Sequence, residues 1–253
     1  MNRFRIVLVS SFVLLVVNCC LAGKIACYNF NGHAPELSDD LYVPRQESGE
    51  VGGALRVHAP DLGDGKHAVT CGKDQGRDVL VLSRSHRYGT NFVVSTKDYE
   101  TAGTADVLTL EMVFRLQEVR GVTTGGRRNF MRLIATEELF VYVFNPDTKA
   151  GTFSMAIAAN RVSATLENLP LDSYLHFALT VDTDGTMLAY INGQPRAETM
   201  KKPGKLHTAM VLGSWLPGKG GYPGTLRVNI DDMVLHDELL QPADFIKSPG
   251  DLR

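Results

Sequence analysis

YLHFALTVDTDGTMLAYING, residues 174–193, is the stretch that decides the fold. Leu175, Phe177, Leu179 and Val181 alternate with His176, Thr180 and Asp182, the period of a strand with one face in a core. Asp184-Gly185 then supplies a tight turn, and Thr186–Asn192 resumes the chain in the opposite direction. Two β-rich runs around an Asp-Gly turn predict a hairpin.

The same period recurs outward from this hairpin. In residues 107–116 the even positions Leu108, Leu110, Met112, Phe114 and Leu116 are apolar, while Thr109, Glu111 and Arg115 stand between them. Glu111 is thus expected on a wet face, in a solvated ion pair with Arg115. Further strand-like runs cover 25–30, 79–82, 92–95, 130–135, 139–144, 153–158, 162–166, 210–212 and 226–235. Asn31-Gly32, Asp64-Gly65, Gly125-Gly126, Asn192-Gly193 and Gly220-Gly221 punctuate them. Only Gln241 to Ile246 reads as a short helical turn. Many short strands without intervening helices predict an all-β fold of two packed antiparallel sheets. No repeat of 20–50 residues occurs, which disfavours a propeller or solenoid. The polar stretch from His33 to Gly53 reads as a surface loop along one edge.

One irregularity stands out near the C-terminus. Leu226, Val228 and Ile230 alternate on one face, but the apolar set resumes at Met233 and Leu235. The phase shift falls on Asp231-Asp232, as one extra residue in a β-bulge would produce.

The N-terminus is organised differently. Arg3 and Arg5 precede a mostly apolar run from Ile6 to Val17, and Cys20 and Ala22 occupy the −3 and −1 positions of a cut before Gly23. Residues 1–22 are expected to be a secretory signal peptide, leaving 23–253 as one domain. A transmembrane span needs about 20 apolar residues, and this run is shorter. The mature chain then has 24 basic and 28 acidic residues, a net charge of −4. With 44% hydrophobic and 21% charged residues overall, it has an ordinary globular composition. There is no basic footprint for nucleic acid and no polybasic membrane patch.

Four cysteines are present, and Cys19 and Cys20 leave with the signal. Cys27 and Cys71 remain in an oxidising setting, where a disulfide closing about 45 residues would contribute about 4 kcal/mol. Two separate buried thiols are the alternative.

Four segments carry a family resemblance. Tyr28-Asn29-Phe30 with Gly32, Leu108-Thr109-Leu110-Glu111-Met112, the hairpin His176–Thr180 with Tyr190-Ile191-Asn192-Gly193, and Gly224 with Ile230-Asp231-Asp232, Leu235 and Leu240 all match its pattern. In these the chain resembles the laminin G-like domains of the concanavalin A-like superfamily. Tryptophans usual in that family around Val113 and Tyr174 are absent. The resemblance implies a jelly-roll sandwich and a role in binding or adhesion, although fold does not imply function. It also implies a structural calcium ion, with Asp231 as the closing-strand aspartate and carbonyls from near Asn31 and Gly32. Calcium needs six to eight oxygens at about 2.3–2.6 Å. The alternative is that Asp231 caps backbone N–H groups freed by the bulge, so no cofactor is required.

Catalysis has little support in the residues. A glycosidase needs two carboxylates facing across the scissile bond, and the E-x-D-x-x-E run of laminarinase-type relatives is absent. Glu137-Glu138 and Asp231-Asp232 are adjacent pairs, which a regular strand sends to opposite faces. There is no G-x-S-x-G, H-E-x-x-H or Walker-type loop. The seven histidines, from His33 to His236, show no metal-ligand spacing.

Binding has two candidate segments. Trp215, the sole tryptophan, and Tyr222 lie in the Gly/Pro-rich loop from Gly213 to Gly224 and could offer flat faces to sugars or to a protein. Trp215 as a plug in the end of the sandwich is the alternative. Arg127 and Arg128, with Arg120 and Arg132, flank a Gly-rich turn whose guanidinium forks suit uronic or sulfated glycans. A solvated hairpin tip is the plainer account there, and Lys201, Lys202 and Lys205 form a weaker tract. The expectation is a secreted, non-catalytic module binding a glycan or a cell-surface partner. The alternatives are a polysaccharide-cleaving enzyme of the same fold and a purely structural adhesion module with a protein partner.

Overall fold

The computed structural model describes residues 23–30, 41–42, 52–58, 69–84, 93–96, 103–121, 131–136, 138–145, 150–159, 162–199, 206–208, 211–213 and 224–246. In chain order the strands are β1 (Lys24–Tyr28), β2 (Leu41–Tyr42), β3 (Leu55–His58), β4 (Val69–Asp74), β5 (Arg77–Arg84) and β6 (Val93–Thr96). β7 (Thr104–Ala105), β8 (Leu108–Gly121), β9 (Met131–Ala135), β10 (Leu139–Phe144), β11 (Thr152–Ala159) and β12 (Val162–Pro170) follow. The rest are β13 (Tyr174–Val181), β14 (Met187–Ile191), β15 (Gln194–Thr199), β16 (Leu206–His207), β17 (Val211–Leu212) and β18 (Gly224–His236). A 3-10 turn, Pro242–Asp244, lies within the expected helical stretch.

Two antiparallel sheets make a sandwich. The first runs β15-β14-β13-β8-β18-β5-β4, with β1 also paired to β18. The second runs β12-β11-β10-β9-β17-β6-β3-β2, and β7 pairs β16 apart from both. Period-two alternation explains the layering. Leu108, Leu110, Met112, Phe114 and Leu116 of β8 face inward with Leu175, Phe177, Leu179 and Val181 of β13. Val141 and Val143 of β10 and Met155 and Ile157 of β11 meet them from the second sheet. The rings of Phe114 and Phe153 join the layers edge-on, 6.3 Å apart. Each fully buried Leu, Val or Phe of this cluster contributes about 1.5–3 kcal/mol.

The decisive hairpin forms as expected. Phe177 pairs with Ile191 and Val181 with Met187. Its turn is closed by Asp182, whose Oδ1 accepts from the N–H groups of Asp184 and Thr186. Asn192 and Gly193 both take positive φ, 51° and 74°, as a tight primed hairpin turn into β15 requires. Space is not the reason for Gly193, since an added Cβ would meet nothing within 4 Å; its φ is.

β18 carries the expected bulge. Ile230 pairs with Phe114 and Asp232 with Val113, so Asp231 is the extra residue. After it Met233 and Leu235 return to the core. A second irregularity, between Arg227 and Val228, leaves Gln117 of β8 out of register.

Other expectations resolve less simply. Within the stretch from His33 to Gly53, Leu41–Tyr42 forms the last strand of the second sheet. Its Tyr42 ring is buried against Phe30 and Tyr28, at 5.1 and 6.3 Å. The expected Cys27–Cys71 bridge is absent, and no S–S bond joins the two buried residues. Cys27 pairs with Val234, between the inward Met233 and Leu235, whereas Cys71 pairs with Leu80 and belongs to the core. Residues opposite one another in a ladder share a face, so the two side chains leave the first sheet on opposite sides. Among the described residues no helix is long and apolar enough to cross a membrane.

Candidate functional site

The two candidate loops are rooted at one corner of the sandwich. β8 ends at Gly121, which pairs with Gly224, the first residue of β18. Nine residues separate Gly121 from Met131 of β9, and ten separate Gly213 from Gly224. β17 pairs with β9, Leu212 opposite Ile134, and the Gly213 N–H donates to the Leu133 carbonyl at 3.0 Å. Both segments therefore leave and rejoin the two sheets beside each other. Arg127, Arg128, Trp215 and Tyr222 themselves lie outside the described residues, as do Lys201, Lys202 and Lys205.

The two flanking arginines are not equivalent. Arg120 is exposed and its Nε lies 3.1 Å from Glu118. Arg132 is buried on β9, its guanidinium 5.4 Å from the ring centres of both Phe140 and Tyr142. Its register opposite Tyr142 turns it onto the outer face of the second sheet. It is a stacked cation rather than part of a solvated tip.

Asp231 projects onto the outer face of the first sheet, where it accepts from Arg77 in a close ion pair. The Arg77 guanidinium lies 4.9 Å over the Tyr174 ring. The Tyr174 hydroxyl donates to Asp74 at 2.8 Å, and Arg115 Nη1 donates to the other oxygen of Asp74 at 2.6 Å. A second Arg115 nitrogen reaches Asp172 at 2.7 Å. Burial acts to raise the Asp74 carboxyl, but donors from Asn229, Arg115 and Tyr174 outweigh it and hold the group below its usual value. Asp231 goes the other way. Burial raises it, Arg77 offsets only part, and the like charge of Asp78 adds to the rise. Burial and Asp74 also push the Tyr174 hydroxyl up.

Calcium at Asp231 would have to share its carboxylate with Arg77, a cation already in place. Its other expected ligands, near Asn31 and Gly32, lie outside the described residues. Among the described residues no group of three or more His, Cys, Asp or Glu is disposed to hold a metal.

Glu111 departs most from expectation. It does occupy the non-core face of β8, but it is 0% exposed, and Arg115 is engaged with Asp74 and Asp172 instead. His176 Nε2 donates to Glu111 Oε2 at 2.9 Å, and the Ile246 N–H donates to the same oxygen at 2.7 Å. His236 Nε2 stands 3.2 Å from Oε1. Burial alone would raise this carboxyl, yet the two imidazoles and the amide hold it below its usual value. What hides it is the segment after β18. Thr109 Oγ1 donates to the Glu238 carbonyl and accepts from the Leu240 N–H, while Phe245 packs on Tyr190 at 5.1 Å and His176 at 5.7 Å. Glutamate and histidine on one polar face of β8 and β13 are legible in the sequence, but the covering segment has no periodic signal. A second glutamate–histidine pair, Glu138 with His207 at 2.7 Å, holds β16 beside the start of β10.

Each of these carboxylates is occupied as an acceptor from a cation or a backbone donor. The arrangement ties strands together on the sheet face.

No family model matches the sequence, and no curated protein matches it. Solved structures do resemble the fold. The receptor binding domain of botulinum neurotoxin type G is 13% identical, with a TM-score of 0.53. The binding domain of botulinum neurotoxin DC, solved in complex with rat synaptotagmin II, is 11% identical with a TM-score of 0.50. Both alignments cover 88% of this chain and 50% of the other, so the chain spans about half the length of those domains. Domain 4 of AbnA, an extracellular arabinanase from Geobacillus stearothermophilus in complex with arabinotriose, is 13% identical over 88% of this chain and 96% of its own, at a TM-score of 0.49. At these identities the likeness is one of fold alone, a β-sandwich.

Proposed function

We propose that this chain is a secreted, non-catalytic binding module that engages a glycan or cell-surface partner through Trp215, Tyr222, Arg127 and Arg128. The observation that carries the reading is the pairing of Gly121 with Gly224, together with the Gly213–Leu133 hydrogen bond. These contacts root the aromatic and the arginine-bearing segments at one corner. Loops on a rigid sandwich are where binding residues concentrate. An indole and a phenol supply flat faces for sugar rings, and guanidinium forks supply bidentate contacts to carboxylate or sulfate. Acidic or sulfated glycans are therefore the favoured ligands. Of the toxin domains that share the fold, one is named a receptor binding domain and the other a binding domain in complex with rat synaptotagmin II, which is compatible with this use of the sandwich.

Export rests on the segment before Gly23, and the reading requires no cofactor. In this reading Asp231 keeps Arg77 as its partner and needs no calcium ion.

A glycan array probed with residues 23–253 tests the proposal. Retention on uronic or sulfated glycans, unchanged by EDTA and without released products, is the expected result. No retention on any glycan, or release of shortened sugars from a soluble polysaccharide, would reject it.

A further inference from the structure

The segment Asp237–Ile246 crosses the outer face of the first sheet and covers Glu111 and Tyr190. It is held at three points. The Asp237 N–H donates to the Gly23 carbonyl at 2.8 Å, Thr109 bonds both Glu238 and Leu240, and the Ile246 N–H meets Glu111. At its root stands His236, the last residue of β18. His236 is buried, neither of its ring nitrogens makes a hydrogen bond, and each faces a different carboxylate. Nε2 lies 3.2 Å from Glu111 of β8, and Nδ1 lies 4.0 Å from Glu238 of the crossing segment. The Glu238 side chain is half exposed and lies where a Cβ on Gly23 would stand.

A neutral imidazole has one donor and one lone pair, whereas an imidazolium has two donors. Facing two carboxylates, only the imidazolium presents N–H to both. A neutral ring must turn a lone pair toward one anion. We propose that His236 is a proton-operated clasp: carrying its proton, it bridges Glu111 to Glu238 and holds the strap 237–246 on the sheet, and losing the proton loosens the strap.

The charges around His236 fit this. Glu111 faces it from β8 and Glu238 from the strap, with His176 of β13 on the far side of Glu111. Lys24 of β1 lies opposite His236 in register and is the cation that opposes protonation. Asp237 and Asp244 on the strap are exposed. On this proposal the strap is held best where the carboxylates are ionised and the imidazole is charged, and it weakens at higher pH. Loosening it would uncover Tyr190 and the buried Glu111.

Hydrogen exchange of the full chain, read on the peptide spanning the strap and corrected for intrinsic rates, tests the clasp. Strap exchange should be about tenfold slower at about pH 5.5 than at about pH 8.5, with β13 protected at both. Glu238→Gln, at a half-exposed side chain, should reduce that ratio to less than about threefold. His236→Asn should give the fast, alkaline-like exchange at both values. If His236→Asn fails to fold, the Glu238→Gln comparison decides. Equal strap exchange at the two pH values in the wild-type chain, or an undiminished ratio in Glu238→Gln, would overturn the proposal.

Discussion

Asp74 and Asp231 stand on one sheet face, each beside an arginine, yet their carboxyls move in opposite directions. Asp74 collects three donors, so its folded form is held ionised. A depressed carboxyl contributes stability above its unfolded value, and that contribution is lost as pH falls through the lower folded value. Asp231 is raised by burial, so ionising it costs stability near neutrality and protonation relieves that cost. Asp74→Asn should therefore cost about 2–3 kcal/mol at pH 7, because Arg115 is left with a weaker partner in a mostly buried site. Asp231→Asn should cost clearly less, since removing a buried anion offsets much of the lost pairing. Urea unfolding of both variants at pH 7 checks the order, and equal losses would contradict it. The positions of Glu111 and Asp231 on the polar face were legible from alternation alone. Their partners were not. Arg77 is 154 residues from Asp231 and His176 is 65 from Glu111, separations that only the pairing of β5, β8, β13 and β18 closes.

Strands with a clean period were readable as elements, and the exceptions share a cause. β10, with burial alternating along Leu139–Phe144, falls where the alternation predicts. β15 reads QPRAET and β4 reads VTCGKD, both at the edges of the first sheet, where little apolar patterning is needed. The β4–β5 turn is equally quiet in sequence, because Gln75 takes φ 50° where Asn or Asp is usual. The bulge was readable because it leaves a parity error in the apolar residues themselves. Deleting Asp231 should remove that correction and send Met233 and Leu235 outward, a one-residue slip across a buried strand. Insoluble or unfolded protein, judged by circular dichroism, is the expected outcome; a folded chain of wild-type stability would contradict the bulge's role. The crossing segment depends on one aromatic anchor. Phe245→Ala should destabilise by about 1–3 kcal/mol, less than a core phenylalanine, because most of the segment is exposed. Thermal melting beside exchange of the Ile246 amide measures it.

For the molecule as a whole, the sandwich supplies rigidity, and the proposed contact lies at the corner. A core shared by both sheets fixes the roots of two segments that carry the chain's single tryptophan and two neighbouring arginines. The all-β architecture was legible because alternation is a whole-chain property. The placement of Cys27 and Cys71 on opposite sides of the first sheet was not, because spacing along the chain does not reveal which face of a sheet a cysteine occupies. Calcium is tested at this scale too: the melting temperature should be unchanged by EDTA and by added millimolar Ca²⁺, and a chelator-dependent fall would restore the metal to Asp231. The most direct test of the central claim is glycan retention measured beside melting temperature for Trp215→Ala. A contact residue at the corner should lose retention with almost no change in melting temperature. Unchanged retention with a stability loss of about 3–5 kcal/mol would instead make Trp215 a core plug and contradict the binding site.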